Sequence, residues 1–454
     1  MGWSMAQISA ELTEGVRVAF GMKRREFCAK LDVDASFYET LCDANDLSNF
    51  PPHAASAVRA MMLSLERANL ERYRSRLQHD DVGHFYGAKV MHHLDKVVQL
   101  QSKDAETRTR CGPVTVEIHP SDRCNHRCPQ CVNGTPFRRG LGNGLFDAHL
   151  VPNLVADMLA LGVRAVNVSG GGEPLVHPEL SSFLRAFKSA GIDVGLITNG
   201  TMLAHESHAS ALETILDVCT YCRVSVDAGS QAVYERMHGK APDVNFQSLV
   251  QVIASMVDAK RARESKTTIG VSFLLTPDNY LDLVKAACVF RDVGVDYFQV
   301  KPIVMPAVER ADAGMVFWDE RLFDTLVALN AYQTKAFRVY TLGYKFADML
   351  LNEHAGLPFS RCWGHALYPT ILADGTVIVC CDMLNAHLAG RTSGTYGRIT
   401  RERGLLGLWT TAHRVGVGER INTRLCPSNC KLSETNKTLE RLCQEPSEHS
   451  NFIG

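Results

Sequence analysis

The 454-residue chain reads as an α/β protein, with a parallel α/β core between a helical N-terminal region and a small, cysteine-rich α+β segment. Three observations predict this. Strand-like runs alternate with helical ones from Val114 to about Ala336, the pattern of a parallel sheet with helical crossovers. The stretch before it carries helical patterns without strand runs. In the stretch after it the alternation fades and cysteines gather about a hairpin signal.

Composition narrows the function. Basic and acidic residues nearly balance, 48 against 49, for a net charge of -1, so nothing draws the chain electrostatically to nucleic acid or an anionic membrane. No apolar run is long enough to span a bilayer, and a cytoplasmic location with a small-molecule partner is expected. The 15 cysteines are odd in number and clustered at metal-ligand spacings, which reads as reduced ligands rather than disulfides.

From Ala6 to about Gln101 the pattern is helical, with Ala57, Val58, Met61, Met62, Leu65 and Leu70 down one face. Arg24 to Leu41 faintly suggests a helix-turn-helix, with Phe27, Leu31, Val33, Phe37 and Leu41 at core-like positions. Its second helix, Asp34 to Asp43, carries Asp34, Glu39 and Asp43 and no basic residue, a poor match to phosphate. A helical cap or dimerisation domain over residues 1–110 is the preferred reading, so a homodimer is an expected partner. The polar stretch Gln101 to Arg110 is read as the linker into a core at 111–336, followed by a C-terminal domain at 337–454.

Strands are expected at Val114 to His119, Arg164 to Ser169, Asp193 to Thr198, Tyr221 to Asp227, Thr267 to Leu275 and Asp296 to Lys301. Helices between them include Asp147 to Leu161, Leu180 to Ala190, Phe246 to Arg263 and Tyr280 to Val293. Strand alternation sends Val116 and Ile118 toward the helices. It sends Glu117, His119, Asn167, Ser169, Arg223, Ser225, Asp227, Ser272, Gln299 and Lys301 inward. An interior this polar suggests a hydrogen-bonding substrate.

Directly after the first strand, Cys124, Cys128 and Cys131 are spaced as iron ligands. Three thiolates leave one iron of a cubane [4Fe-4S] cluster with an open position, so a small molecule can bind there; zinc with a fourth ligand remains the alternative. Ser169-Gly170-Gly171-Gly172-Glu173-Pro174 follows the second strand, where glycines let backbone approach a ligand closely. Downstream, Asp374-Gly375 joins the runs Pro369 to Leu372 and Thr376 to Val379 as a hairpin. Cys362 precedes the hairpin, Cys380 closes it, and Cys426 with Cys430 forms a later pair, with Cys443 beyond. Cys381 leaves the hairpin ligand ambiguous, and a structural zinc on these thiolates remains open.

The cysteine spacing with the Gly-Gly-Glu-Pro turn resembles the radical S-adenosylmethionine superfamily. That resemblance implies a partial (β/α)6 barrel, a reducing partner such as flavodoxin or ferredoxin, and S-adenosylmethionine chelated by the cluster. Gly171, Gly172 and Glu173 match the motif that contacts the methionine amine. Asn199, Ser225 and Asp227 match positions near the cofactor's ribose and carboxylate. The C-terminal cysteines resemble the Twitch form of the SPASM domain, implying an auxiliary [4Fe-4S] cluster on Cys362, Cys380, Cys426 and Cys430. A helical N-terminus on a Twitch protein resembles the radical diol dehydratases of aminoglycoside biosynthesis typified by the apramycin pathway. A vicinal diol of an aminoglycoside or related sugar is then the expected substrate, and a separate NAD(P)H-dependent reductase would act on the carbonyl product. Glu117, Lys301, His119 and Asp382 are the candidate acids and bases. The rivals are oxidation of a secondary alcohol to a ketone, modification of a ribosomal peptide, and a non-catalytic iron-sulfur sensor.

Overall fold

The computed structural model describes residues 13, 17, 22–43, 51–58, 60–61, 87–131, 142–239, 245–276, 278–303, 320–346, 348, 357–384 and 394–442. The expected strands form where the alternation placed them: β1 (Thr115–Ile118), β2 (Ala165–Val168), β3 (Asp193–Thr198), β4 (Tyr221–Ser225), β5 (Thr268–Leu275) and β6 (Tyr297–Pro302). All pair in parallel, β1 through β6 in order. The expected helices also form, at Val151–Ala160, Leu180–Ser189, Phe246–Ala262 and Leu283–Val293. Two more, Ala209–Val218 and Gln231–His238, complete the crossovers. This is the α/β, parallel-sheet architecture the sequence predicts.

Packing follows from the same pattern. Leu180–Ser189 buries Leu180, Phe183, Leu184 and Phe187, spaced as one helical stripe. These join Val116, Ile118, Val166, Val168, Val194 and Leu196 in the main core. Truncating one such phenylalanine to alanine costs about 3–5 kcal/mol, a large part of a domain's stability.

Strand pairing continues beyond the expected core boundary at 336. A seventh strand, β7 (Arg338–Thr341), pairs in parallel with β6. The hairpin β8 (Thr370–Ile371) and β9 (Thr376–Ile378) turns through Gly375 at φ 86° and lies against β1, with β8 parallel to it. A further strand, β10 (Thr395–Arg398), pairs with β9. The result is one ten-stranded sheet in the order β10-β9-β8-β1-β2-β3-β4-β5-β6-β7. Short runs such as Thr370–Ile371 carry too little alternation to announce a sheet partner; the pairing with β1 is a tertiary event.

The stretch expected to be a linker is instead ordered. Asp104 accepts backbone hydrogen bonds from Glu106 and Thr107 and caps a helix at Ala105–Arg110. The buried Arg414 guanidinium donates to the carbonyls of Arg108 and Thr109, tying this helix to the C-terminal region. Near the N-terminus, Arg24–Leu31 and Ala35–Asp43 are the two expected short helices. Phe27, Leu31 and Tyr38 are buried, whereas Phe37, expected inside, is 40% exposed. Tyr38 takes the core position, stacking edge-on against Phe27. Met62, Leu65, Leu70 and Cys443 lie outside the described residues, as does the side chain of Leu41.

Candidate active site

At the C-terminal ends of β1 to β5 the loops enclose a cavity of about 1110 Å³. Cys124, Cys128, Cys131, Gly170, Gly171, Gly172, Glu173, Asn199, Ser225 and Asp227 all line it. The fold thus brings the expected cluster ligands and the expected cofactor-binding residues to one place. Chemistry at the strand ends is the rule for βα barrels.

Backbone contacts set this geometry. The Gly172 N–H donates to the Ser121 carbonyl at 2.9 Å and the Glu173 N–H to the Arg123 carbonyl at 2.8 Å. A Cβ on Gly172 would lie 2.1 Å from the Arg123 carbonyl oxygen, so only glycine permits this approach. Glu173 turns its buried carboxylate inward, accepting from Thr198 Oγ1, Asn199 N and Leu175 N. Burial raises its pKa despite those three donors. What Glu173 offers a ligand is the turn it holds in place. Asn199 donates its side-chain amide to Asn125 Oδ1 at 2.8 Å, and Asn125 donates to Thr201 Oγ1, so the end of β3 grips the cysteine loop. Asp227 sits in the left-handed region at φ 56°, which Asp tolerates better than most residues, and accepts from Leu274 N at 2.6 Å.

Cys124 is exposed and Cys128 and Cys131 are half-buried, a thiol set open to the cavity. Burial of the sulfur, with the nearby Glu173 and Cys131, raises Cys124 to about 12, so a metal must displace the proton. Tetrahedral zinc would draw its ligand atoms to about 3.8 Å from one another. Among the described residues, the trio of ligand atoms within 4.8 Å is His126, Cys128 and His238, not the three cysteines. The wider thiol spacing suits a multi-iron cluster. His238 hydrogen-bonds the Val226 carbonyl through Nε2 and faces Cys128 Sγ with Nδ1 at 3.3 Å.

Residues 118–287 match the family model described as the Radical SAM superfamily. The chain carries a radical SAM domain. That match implies S-adenosylmethionine and a [4Fe-4S] cluster, and the three cysteines and the glycine turn lie within the matched stretch and line the cavity. Over 330 residues the chain is 24% identical to the tungsten-containing aldehyde ferredoxin oxidoreductase cofactor-modifying protein of Pyrococcus furiosus, covering 69% of this chain and 86% of that one. It is 24% identical over 319 residues to the dTDP-4-amino-4,6-dideoxy-D-glucose ammonia-lyase of Streptomyces venezuelae, covering 64% of this chain and 62% of the relative. The chain thus spans less than two thirds of that second relative. Streptococcus suis SuiB, solved with its precursor peptide SuiA, shares the fold at a TM-score of 0.51 and 15% identity, over 86% of this chain and 87% of SuiB. No described helix of the radical SAM chain is long and apolar enough to cross a membrane.

Deeper in the sheet, the inner face of the radical SAM domain is as polar as its alternation predicts. Glu117 is 5% exposed and accepts from Ser169 Oγ at 2.9 Å, with His119 Nε2 at 3.2 Å. Its ion-pair partner is Lys431, which also lies 4.2 Å over the Tyr368 ring. Alternation put Lys301 and Arg223 on the same inner face as Glu117. The chain instead brings Lys431 from the residue after Cys430, a contact across 314 positions. Burial alone would raise the Glu117 pKa, but the Lys431 charge and the His119 hydrogen bond hold it well below the carboxylate range. Lys301, half-buried, is lowered to about 7 by desolvation and then by Arg223 and Lys345. Asp382 lies beside this pair: its Oδ2 accepts from the Lys431 N–H at 2.8 Å and fixes that residue's backbone.

Aromatic rings form a floor under this polar cluster. Tyr221 donates to Asn167 Oδ1, and Asn167 in turn donates to the Tyr368 hydroxyl. A Cβ on Gly195 or Gly270 would lie within 2.3 Å of the Tyr221 or Tyr297 ring, so these glycines make room for the floor. Sequence reasoning missed Lys431, His238, Tyr368 and Lys345. Only the position of Lys431, directly after a predicted ligand, could have flagged it.

The thiols of Cys362, Cys380, Cys426 and Cys430 are all buried. Cys380 and Cys430 are each pushed up, first by burial and then by neighbouring anionic groups that include Cys362. Asn436 braces this corner, donating to Cys362 Sγ at 3.6 Å and accepting from the N–H groups of Trp363 and Gly364.

Proposed function

We propose that this chain is a radical S-adenosylmethionine lyase that dehydrates a vicinal diol of an aminoglycoside or related sugar. The observation that carries this reading is the buried polar wall at Glu117, Lys431 and His119, with Lys301 on the same inner face, joined through Ser169 to the lining of the cavity. The resemblance to an ammonia-lyase named for a nucleotide-linked amino sugar supports it, since both reactions expel a group next to a carbinol carbon. Cys124, Cys128 and Cys131 would hold the cluster and the Gly170 to Gly172 turn would border S-adenosylmethionine, and together these groups would supply the radical chemistry that opens the reaction.

The chain's own residues then manage protons. Glu117, kept ionised by Lys431, accepts the carbinol hydroxyl as a hydrogen-bond donor and orients it. Lys301, near 7, exchanges a proton at neutral pH and serves as the base. His119 adds a second polar contact on the same wall. The four auxiliary thiols are all buried, and an iron-sulfur centre on them is the reading adopted, with structural zinc as the alternative that iron counting decides. A buried centre there also keeps the secondary-alcohol oxidation in view, since that reaction needs an electron acceptor.

Mass spectrometry of anaerobic reactions with candidate aminoglycoside diols, a flavodoxin reductant and S-adenosylmethionine tests the proposal. Loss of one water supports dehydration. Loss of two hydrogens replaces it with the oxidation, and no change in any sugar overturns both.

A further inference from the structure

Cys380 and Cys381 are adjacent, yet the fold gives them different surroundings. Cys380 has extended backbone, φ -171° and ψ 163°, which sends consecutive side chains to opposite sides. The Cys380 thiol is buried, with Asp382, Cys381, Cys430 and Cys362 as its charged or thiol neighbours. The half-buried Cys381 thiol lies 3.7 Å from Lys431 Nζ and beside Glu117, and reaches Asp382 Oδ1 at 3.9 Å.

A second observation concerns buried polar atoms on the same inner face of the sheet. His119, 2% exposed, uses Nε2 on Glu117 and has no partner for Nδ1 among the described residues. Gln299, also 2% exposed, has no partner for Oε1, and it shares the inner face of β6 with Lys301. Buried polar atoms are normally satisfied, so this unused capacity is what a polar substrate would fill.

We propose that Cys381 is the hydrogen-atom donor that ends the reaction; this rests on the dehydratase reading above. Loss of water from the carbinol radical leaves a carbon radical next to a carbonyl. The Cys381 S–H bond breaks, a C–H bond forms at that carbon, and the product leaves as a closed-shell ketone. The new C–H bond is stronger than the S–H bond it replaces. Cys381 is left as a thiyl, which one electron from a flavodoxin- or ferredoxin-type reductant and one proton from water return to the thiol. The two neighbours thus divide the work, with Cys380 serving the buried thiol set and Cys381 the substrate.

The test compares full-length, reconstituted wild-type protein with Cys381→Ser and Cys380→Ser. Serine is close in size, and its O–H bond is too strong to give up a hydrogen atom. Iron counting needs no substrate: Cys381→Ser keeps the wild-type content, while Cys380→Ser loses the auxiliary share. In deuterated buffer, wild-type product carries solvent deuterium at the carbon that lost its hydroxyl. Cys381→Ser still releases 5'-deoxyadenosine, but its ratio of product to 5'-deoxyadenosine falls at least about tenfold. Loss of auxiliary iron from Cys381→Ser, or an unchanged product ratio with unchanged labelling, overturns the donor role. Wild-type protein that releases 5'-deoxyadenosine without dehydrating any diol overturns the dehydratase reading and the donor role with it; this failure is visible before any variant is made.

Discussion

The two thiol sites of this chain are built in opposite ways. Cys124, Cys128 and Cys131 lie within eight residues of one another on a loop, exposed or half-buried, facing a cavity of about 1110 Å³. Cys362, Cys380 and the pair Cys426 and Cys430 come from three separate segments, are all buried, and are braced by a hairpin that adds to the barrel sheet through β1. An open thiol set suits a centre that must admit and release a ligand. A closed one suits a centre that stays bound and holds structure.

The most severe way to probe that contrast is to remove one loop ligand. Cys128→Ala is expected to abolish 5'-deoxyadenosine release from dithionite-reduced protein while leaving auxiliary iron in place. Release equal to wild type would end the assignment of the loop as the radical centre. Chelation sharpens the same point without a mutation. Under a mild oxidant with EDTA, iron should leave in two phases, first from the loop with its exposed Cys124 and later from the buried set. A single phase would erase the distinction.

Between the two sites, Glu117→Gln removes the carboxylate that Lys431 pairs with. Dehydrated product should fall at least about a hundredfold while 5'-deoxyadenosine still forms. An equal fall in both products would mean that Glu117 serves the cofactor site rather than the substrate. Gly172→Ala is expected to be milder. The added methyl meets the Arg123 carbonyl, and overpacking of this kind costs about 1–3 kcal/mol, read as weaker S-adenosylmethionine binding by calorimetry. Unchanged binding would show that the cysteine loop yields easily, against the grip described.

The smallest effect concerns pH. Burial and nearby cations favour the neutral Lys301 amine, so the base form grows as pH rises through about 7. The ratio of product to 5'-deoxyadenosine should rise severalfold from pH 6 to pH 8 in wild type and stay flat in Lys301→Met. A falling ratio would reverse its role to acid.

The sequence by itself determined the parallel core, because period-two alternation over four to eight residues and amphipathic crossovers are local signals. It also determined the cavity residues, because Cys124, Cys128, Cys131 and Gly170 to Gly172 carry their chemistry in short spacings that the strand ends simply present. It put Glu117 on the inner face from alternation alone. Only the tertiary structure decided that Lys431 is its partner, since no periodicity links residues 314 positions apart. Likewise, β8 joins β1 through pairing that two residues of strand cannot announce, and only the fold brings the Cys381 thiol to Lys431. Short-range spacing fixes which groups exist in a loop or on a strand face. Which ones meet across the molecule is set by how the sheet edge is covered and how the buried charges find partners.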